Sequence, residues 1–216
     1  MQRAPPLNSM PQLILKISIG GLSKNDLLDR MQIAGIKVNA VGLELFADET
    51  FRTQQVLSII EVVETTIGEL GLPHGGVLAK VIDAAEAQGL ALCPLELGPH
   101  LRLALPDQEE GAVDFEATKH KAPPGSITVV DHRPRDDEGE YRGFYLRRIQ
   151  GTLWLRGYTS WPGHIWQAQD RLAFTSARNA ASLKRSANGM SRWPSSAGRA
   201  AHFALAIQRA IPLSPA

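Results

Sequence analysis

The order of the periodic segments along the chain is the feature that most constrains its fold. Segments with helical spacing dominate before Gly89, whereas the segments after Gly89 have the apolar and polar alternation typical of β-strands. The connections between them are short, so successive segments must pack against one another. This order predicts an α+β fold, in which short N-terminal helices cover one face of a mainly antiparallel sheet.

Three helices are predicted before Gly89, together with a single helical turn that starts at Thr66 and is closed by Gly71. The first begins after Ser23, a residue type that caps helices, and Asp26 stands three residues later as in a capping box. The second begins at Asn39. The third ends at Gly89, which suits the left-handed position that follows many helices. Its apolar face consists of Val77, Leu78, Val81, Ala84 and Ala85.

Extended segments are predicted on both sides of Gly89. Residues 13–19 are expected to form an edge strand, because Gly20 and Gly21 end the apolar run. In residues 101–105, three leucines alternate with Arg102 and Ala104, which indicates a strand with Arg102 on its solvent side. The remaining predicted strands are residues 56–63, 90–92, 127–130 and 172–174.

One β-hairpin is predicted with particular clarity. Residues 144–149 and 152–157 flank Gln150-Gly151, a pair that suits a two-residue turn with positive φ. The two strands contain aromatic and basic residues in alternation: Tyr145, Arg147, Arg148, Trp154, Arg156 and Tyr158.

The charge of the chain is unevenly distributed. Of its 23 basic residues, six lie in residues 176–216, which contain no Asp or Glu, and this leaves 17 basic against 22 acidic residues elsewhere. The last 41 residues also lack a sustained hydrophobic period. We therefore expect a flexible arm at residues 1–11, a single α+β domain at 12–175 and a disordered basic tail at 176–216.

Composition also indicates the class of protein and its compartment. No apolar run reaches the length of a membrane span, and the start of the chain lacks the pattern of a secretory signal. The single cysteine, Cys93, cannot form an internal disulfide. These features predict a cytoplasmic protein that does not bind a membrane.

Four phrases resemble a family of small uncharacterised bacterial proteins, some of which have the label "helicase". The phrases are LCPLELGPHLRLALPDQ, APPGSITVV, GFYLRRIQGTLWLRGY and WPGHIWQAQDRLAF, and the resemblance covers about residues 12–174. The helicase label has no support here, because the chain contains no G-x-x-x-x-G-K-[ST] phosphate loop. The resemblance implies kinship and a bacterial source, and it implies no activity.

The last part of the chain departs from that family, whose members usually end soon after the DRLAF-like segment. The string LKRSANG and the ending PLSPA are similar to translated recombination-site sequence at the ends of mobile gene cassettes. This similarity implies that the tail is read-through sequence.

The densest group of reactive side chains lies near the Gly98-Pro99 bend. Glu96, His100 and Cys93 are candidates for a small hydrolase-like enzyme, in which a Cys within reach of a His would form a thiolate nucleophile. The simpler interpretation of Cys93, which stands between Leu92 and Pro94, is a buried small apolar side chain.

Arginines interleaved with aromatic residues indicate a binding surface. Arg102, Arg147, Arg156 and Trp154 are expected to form this surface. The hairpin residues Arg147, Arg148 and Arg156, among Tyr145, Trp154 and Tyr158, have the composition of a platform for single-stranded nucleic acid. The same composition is typical of an amphipathic sheet face on which Arg stems pack against Trp. The acidic remainder of residues 1–175 favours the second interpretation, because phosphate binding requires a positive field.

Trp161 and His164 belong to an aromatic stretch that ends at Trp166. They are candidates for a small pocket or for a hot spot at a partner interface, and closure of the core is the alternative.

No metal site and no cofactor are predicted. His74, His120 and His132 lie in separate loops, and neither H-x-x-x-H nor H-E-x-x-H spacing occurs in the chain.

The resulting functional hypothesis is a non-enzymatic binding or accessory protein that engages a protein partner through its Arg/aromatic sheet face. The small hydrolase is one alternative. Salt-dependent nucleic-acid binding through the basic tail is the other.

Overall fold

The computed structural model of the protein describes residues 13–111, 123–131, 141–181 and 183. Four helices of these residues are labelled α1 (Lys24–Ile33), α2 (Ala40–Ala47), α3 (Leu78–Ala87) and α4 (Leu97–Ala104). The strands are β1 (Leu13–Ile19), β2 (Lys37–Val38), β3 (Ser58–Thr66), β4 (Gly76–Val77), β5 (Leu90–Leu92), β6 (Ile127–Asp131), β7 (Tyr141–Ile149), β8 (Thr152–Ser160), β9 (Ile165–Trp166) and β10 (Arg171–Ser176).

One eight-stranded sheet organises the fold. Its strand order is β1-β3-β10-β6-β7-β8-β2, and β5 also pairs with β10. Neighbouring strands are antiparallel except for two parallel pairs, β10 with β6 and β2 with β8. The α+β class and the mainly antiparallel sheet are confirmed, and β1 is at one end of the sheet, as predicted for an edge strand.

Helices α1, α2 and α4 lie on one face of this sheet. The core there contains residues of these helices together with alternate residues of the strands, such as Ile60 and Val62 of β3 and Phe144 and Leu146 of β7. Three phenylalanine rings pack together at the centre of this core: Phe46 of α2, Phe51 after α2 and Phe144 of β7. The Phe46 and Phe144 ring centroids lie 5.6 Å apart. This arrangement buries the apolar faces of three short helices at once.

Helix α3 lies on the opposite face. Its buried residues Leu78, Val81 and Ala85 share a second core with Leu172 and Phe174 of β10. The expectation that helices cover a single face is therefore corrected. Strands β10 and β6 have apolar side chains on both faces of the sheet. The second apolar face therefore also needs a helix to cover it.

The predicted helix boundaries near the N-terminus are confirmed. Ser23 and Asp26 form a reciprocal capping box at α1, and the Asn39 side chain accepts a hydrogen bond from Gly42 N at α2. Gly89 follows α3 with a φ of 76°, where a side chain would be strained.

The predicted strand at residues 101–105 is wrong, because this segment belongs to helix α4. Leu97 and Leu101, one turn apart, are both buried in the core, so helical spacing buries more apolar surface here than alternation would. Pro99 lies in the first turn, where the missing N–H costs no helical hydrogen bond. The leucine alternation spans only five residues and is compatible with either structure.

The hairpin is confirmed. Strands β7 and β8 pair in register from Tyr141 opposite Ser160 to Ile149 opposite Thr152. Gln150 and Gly151 have φ values of 48° and 75°, as a type I′ turn requires. The Glu110 carboxylate accepts hydrogen bonds from both turn N–H groups and fixes the turn against the segment after α4.

The chain continues in helical conformation after β10. Residues 177–181 are helical, Ala177 N donates a hydrogen bond to Gly89 O (2.9 Å), and Leu183 packs against the first core. The predicted flexible arm and most of the predicted tail, residues 184–216, lie outside the described residues. The domain boundaries therefore stay predictions.

Candidate functional site

Five residues of β7 and β8 and one of β2 form a surface that we call the ladder face: Lys37, Tyr145, Arg147, Trp154, Arg156 and Tyr158. They alternate along their strands with the core residues Phe144, Leu146 and Leu155, so they project from the other face of the sheet. Arg147 is opposite Trp154 and Tyr145 is opposite Arg156. Three of the predicted binding residues, Arg147, Arg156 and Trp154, are thus brought together.

Cations and rings alternate across the ladder face. The Arg156 guanidinium lies 5.3 Å from the Trp154 ring centroid and 5.9 Å from that of Tyr145. The Lys37 ammonium also lies over the Trp154 ring, 5.6 Å from its centroid. Because two rings hold the guanidinium, its orientation is restricted before any ligand arrives. Arg156 Nε is buried and has no hydrogen-bond partner among the described residues.

Tyr158 lies across the neighbouring strand. A Cβ atom built on Gly143 would come within 2.7 Å of Cε1 and 2.8 Å of Oη of Tyr158. No other residue type leaves room for the ring in this position. The phenol ring is half-buried and continues the row of rings that begins at Trp154.

The predicted residues Trp161 and His164 extend this row. Tyr158 contacts Trp166 edge-on at a centroid distance of 5.9 Å, Trp166 contacts His164 at 5.1 Å, and His164 contacts Trp161 at 5.2 Å. Trp166 and His164 are buried, whereas Trp161 is 52% exposed. The inner rings His164 and Trp166 therefore belong to the packed interior and Trp161 is exposed, and a binding role for these residues stays a prediction.

The ladder face is a basic region of an otherwise acidic domain. Strands β2, β7 and β8 contain no Asp or Glu. Their basic residues are Lys37, Arg142, Arg147, Arg148 and Arg156. In the next strand, β6, Asp131 is opposite Arg142, so an acidic residue borders this basic group at that end.

Lys37 is the member of this surface that sequence analysis did not identify. It belongs to a two-residue strand that pairs in parallel with β8, opposite Trp154. A strand of two residues has no periodicity, and its partner is more than 100 positions away in the sequence. The pairing is therefore visible only in the folded chain.

Arg102 is not part of the ladder face. It belongs to the last turn of α4 and is fully buried, so the predicted solvated position is wrong. Its guanidinium donates hydrogen bonds to Leu105 O and to Gln108 Oε1. The carbonyl end of the helix favours a cation there. Burial, and to a lesser extent the charge of Arg148, lowers the pKa of Arg102 to about 10.

Glu96 and His100 lie one helical turn apart at the start of α4, and both are buried. Glu96 accepts a hydrogen bond from Gln54 N (2.8 Å), and burial raises the pKa of its carboxyl group. Burial lowers the pKa of His100, and the charge of Arg30 on α1 acts in the same direction. Glu96 Oε1 and His100 Nε2 are buried and have no hydrogen-bond partner among the described residues.

Cys93 is buried in the first core, among the side chains beneath α4. Burial raises the pKa of its thiol, so the thiolate is disfavoured at neutral pH. This environment is that of a small apolar side chain.

A shallow cleft of about 540 Å³ lies between the start of α1 and the segment after α2. None of the predicted site residues lines it, although Gln54, which Glu96 binds, stands between two lining residues. The lining residues are Ser23, Lys24, Asn25, Glu49, Phe51, Arg52, Thr53 and Gln55.

In the described part of the chain, no group of three or more His, Cys, Asp or Glu side chains is placed to bind a metal ion. None of the helices in the same residues has the length and apolar character needed to cross a bilayer. His120 and His132 lie outside the described residues.

The chain has no match among protein-family models, among curated proteins or among solved structures.

Proposed function

We propose that the protein is a non-enzymatic binding module whose ladder face engages an anionic partner. The observation that supports this most strongly is the arrangement of Arg156 between the Trp154 and Tyr145 rings, on strands that contain no acidic residue. A guanidinium that is already oriented loses less freedom when it binds a carboxylate or a phosphate.

The neighbouring side chains add to this argument. Arg147 and Lys37 are both opposite Trp154, one on each neighbouring strand, so three basic side chains lie on one face of the sheet. Trp, Tyr and Arg are also the residue types that contribute most to the affinity of protein interfaces. The ladder face differs in this respect from the cleft near α1, which contains one aromatic residue, Phe51.

The hydrolase hypothesis has weaker support. Glu96, His100 and Cys93 are all buried, and Cys93 has the environment of a small apolar side chain. It stays a prediction, and so does nucleic-acid binding through the tail.

The test uses the full chain and two dye-labelled polyanions, oligothymidylate and polyglutamate, with fluorescence anisotropy as the readout. Arg156→Glu is compared with Arg52→Glu, which makes the same charge change at an exposed residue on the side of α1. We expect Arg156→Glu to weaken binding of at least one polyanion by about tenfold or more. Arg52→Glu should leave the affinity within about twofold, as expected for a charge outside the contact surface.

Circular dichroism establishes that both variants are folded. The proposal fails if neither polyanion binds, or if the two variants weaken binding equally.

A further inference from the structure

We infer that β1 pairs with β1 of a second copy of the chain, so that the two sheets join edge to edge around a two-fold axis. This edge is at the opposite end of the sheet from the ladder face. The inference goes beyond the proposed function and does not depend on it.

The first argument is that the two edges of the eight-stranded sheet differ. At one edge β2 has two residues, and such short edge strands discourage pairing with another chain. At the other edge β1 has seven residues, in unbroken register with β3 from Leu13 opposite Glu64 to Ile19 opposite Ser58. In the described part of the chain, no strand pairs with the other side of β1. Alternate N–H and C=O groups of β1 are therefore directed away from the sheet, as on a template for a further antiparallel strand.

The second argument is that exposed apolar side chains lie beside this edge. Ile14 of β1 is 58% exposed and Ile59 of β3 is 70% exposed, on the face of the sheet that α3 covers farther along. Leu57, just before β3, is 68% exposed. A Cβ atom on Gly21 would lie 3.0 Å from Leu57 Cγ, so Leu57 lies against the residues that follow β1. Apolar side chains grouped in this way are typical of a contact surface.

The third argument is that the charges at this edge suit a second copy. Lys16 is the only charged residue of β1, and its ammonium lies 3.8 Å from the Glu61 carboxylate of β3. This neutral pair gives an acidic or a basic partner little to recognise, and two copies do not repel each other there. If Ile17 is opposite the partner's Ile17, Lys16 is opposite the partner's Ser18, so the two lysines do not face each other directly.

The same register brings apolar side chains together at both ends of the strand pair. Ile14 is opposite the partner's Gly20, which has no side chain to separate Ile14 from the partner's Leu57. Two-fold symmetry repeats this contact at the other end. Burying one Leu or Ile side chain removes roughly 100 Å² from water, whereas a stable interface buries about 800 Å² per partner. The association therefore depends on the main-chain hydrogen bonds of β1 as well, and it should be weak.

Sedimentation equilibrium of the full chain, from about 1 μM to about 500 μM, tests the association. We expect a monomer–dimer equilibrium with a Kd in the micromolar range. Ile14→Lys, which introduces the residue type that natural edge strands use against pairing, should raise this Kd by about tenfold or more. Ile33→Lys makes the same change at an isoleucine of α1 that is 86% exposed, and it should change the Kd by less than about twofold. Circular dichroism establishes that both variants are folded.

Hydrogen exchange of the unchanged protein locates the contact without any substitution. The β1 amides directed away from β3 should exchange rapidly in dilute solution and become protected as the concentration rises. Protection that is the same at all concentrations would mean that another part of the same chain covers the edge, and it would overturn the inference.

Three other results would also overturn it. One is a chain that stays monomeric throughout the concentration range. Another is a dimer that Ile14→Lys and Ile33→Lys weaken equally, and the third is a dimer whose β1 amides remain unprotected. None of these results bears on the ladder face, because polyanion binding is measured separately.

Discussion

The side-chain amide of Asn39 pairs with the backbone of Gly157 as a neighbouring strand would. Its Oδ1 accepts from Gly157 N (2.7 Å) and its Nδ2 donates to Gly157 O (3.1 Å). The same Oδ1 also accepts from Gly42 N and caps α2. A Cβ atom on Gly157 would come within 2.5 Å of Gly42 N, so only glycine allows this approach. Asn39 thus fixes β8 at the residue between Arg156 and Tyr158.

Asn39→Ala should lower the free energy of unfolding by about 2 kcal/mol, because it removes a helix N-cap and two hydrogen bonds to a half-buried strand. Urea denaturation measures this change. Asn25→Ala, at an exposed position in the first turn of α1, is the matched control and should change stability by less than about 0.5 kcal/mol. Equal effects of the two substitutions would contradict the role given to Asn39.

Arg102→Ala should destabilise the protein by about 3 kcal/mol. The substitution leaves a cavity under α4 and removes the donor for Leu105 O and Gln108 Oε1. Arg52→Ala, on an exposed side chain, should cost less than about 0.5 kcal/mol. Urea unfolding of both variants gives the comparison, and a small effect at Arg102 would restore the solvated position that its sequence context predicted.

His100 should make stability depend on pH in the mildly acidic range. Its pKa in the folded protein lies below the usual value of 6.5, because burial and Arg30 disfavour the charged ring. The unfolded chain therefore takes up the proton first. The stability due to neutral His100 is complete above pH 6.5 and is lost as the pH falls through the folded pKa.

The measurement is the Tm at about pH 7.5 and about pH 5.5, on either side of the usual His pKa. The unchanged protein should lose more Tm on acidification than His100→Gln, which has no proton to bind there. His74→Gln, at an exposed residue, should behave like the unchanged protein. A drop in His100→Gln as large as in the unchanged protein would contradict the prediction.

Cys93 should not react with a thiol reagent in the native protein. It is the only cysteine, it is buried, and its pKa is raised by burial, so both access and thiolate are lacking. Ellman's reagent should report one thiol per chain after unfolding in guanidinium and almost none before. Rapid reaction of the native protein would instead favour the hydrolase hypothesis, which needs a reachable thiolate at this position.

Local chemistry made part of this fold predictable. The Ser23 cap, the Asn39 cap, Gly89 after α3 and the Gln150-Gly151 turn each depend on a few adjacent residues, and each was predicted from them. Residues 101–105 were assigned wrongly because five residues fit both periods, and the packing of Leu97 and Leu101 against distant strands favours the helix.

The candidate site was predictable to the same extent. Arg147, Trp154 and Arg156 lie on one hairpin, so strand alternation alone places them on one face. Lys37 lies beside them because β2 pairs in parallel with β8. Arg102 lies elsewhere because it belongs to helix α4 and not to a strand. Both of these facts depend on contacts between distant parts of the chain, which no local pattern contains.

The most direct test of the ladder face as a binding surface is two-dimensional ¹H–¹⁵N NMR of the full chain during titration with oligothymidylate. The amides of β7 and β8, the Trp154 indole N–H and the Arg156 Nε–H should shift progressively. Residues around the cleft near α1 should not shift. Shifts confined to residues 176–216 or to the cleft, with Trp154 and Arg156 unchanged at saturation, would contradict the account.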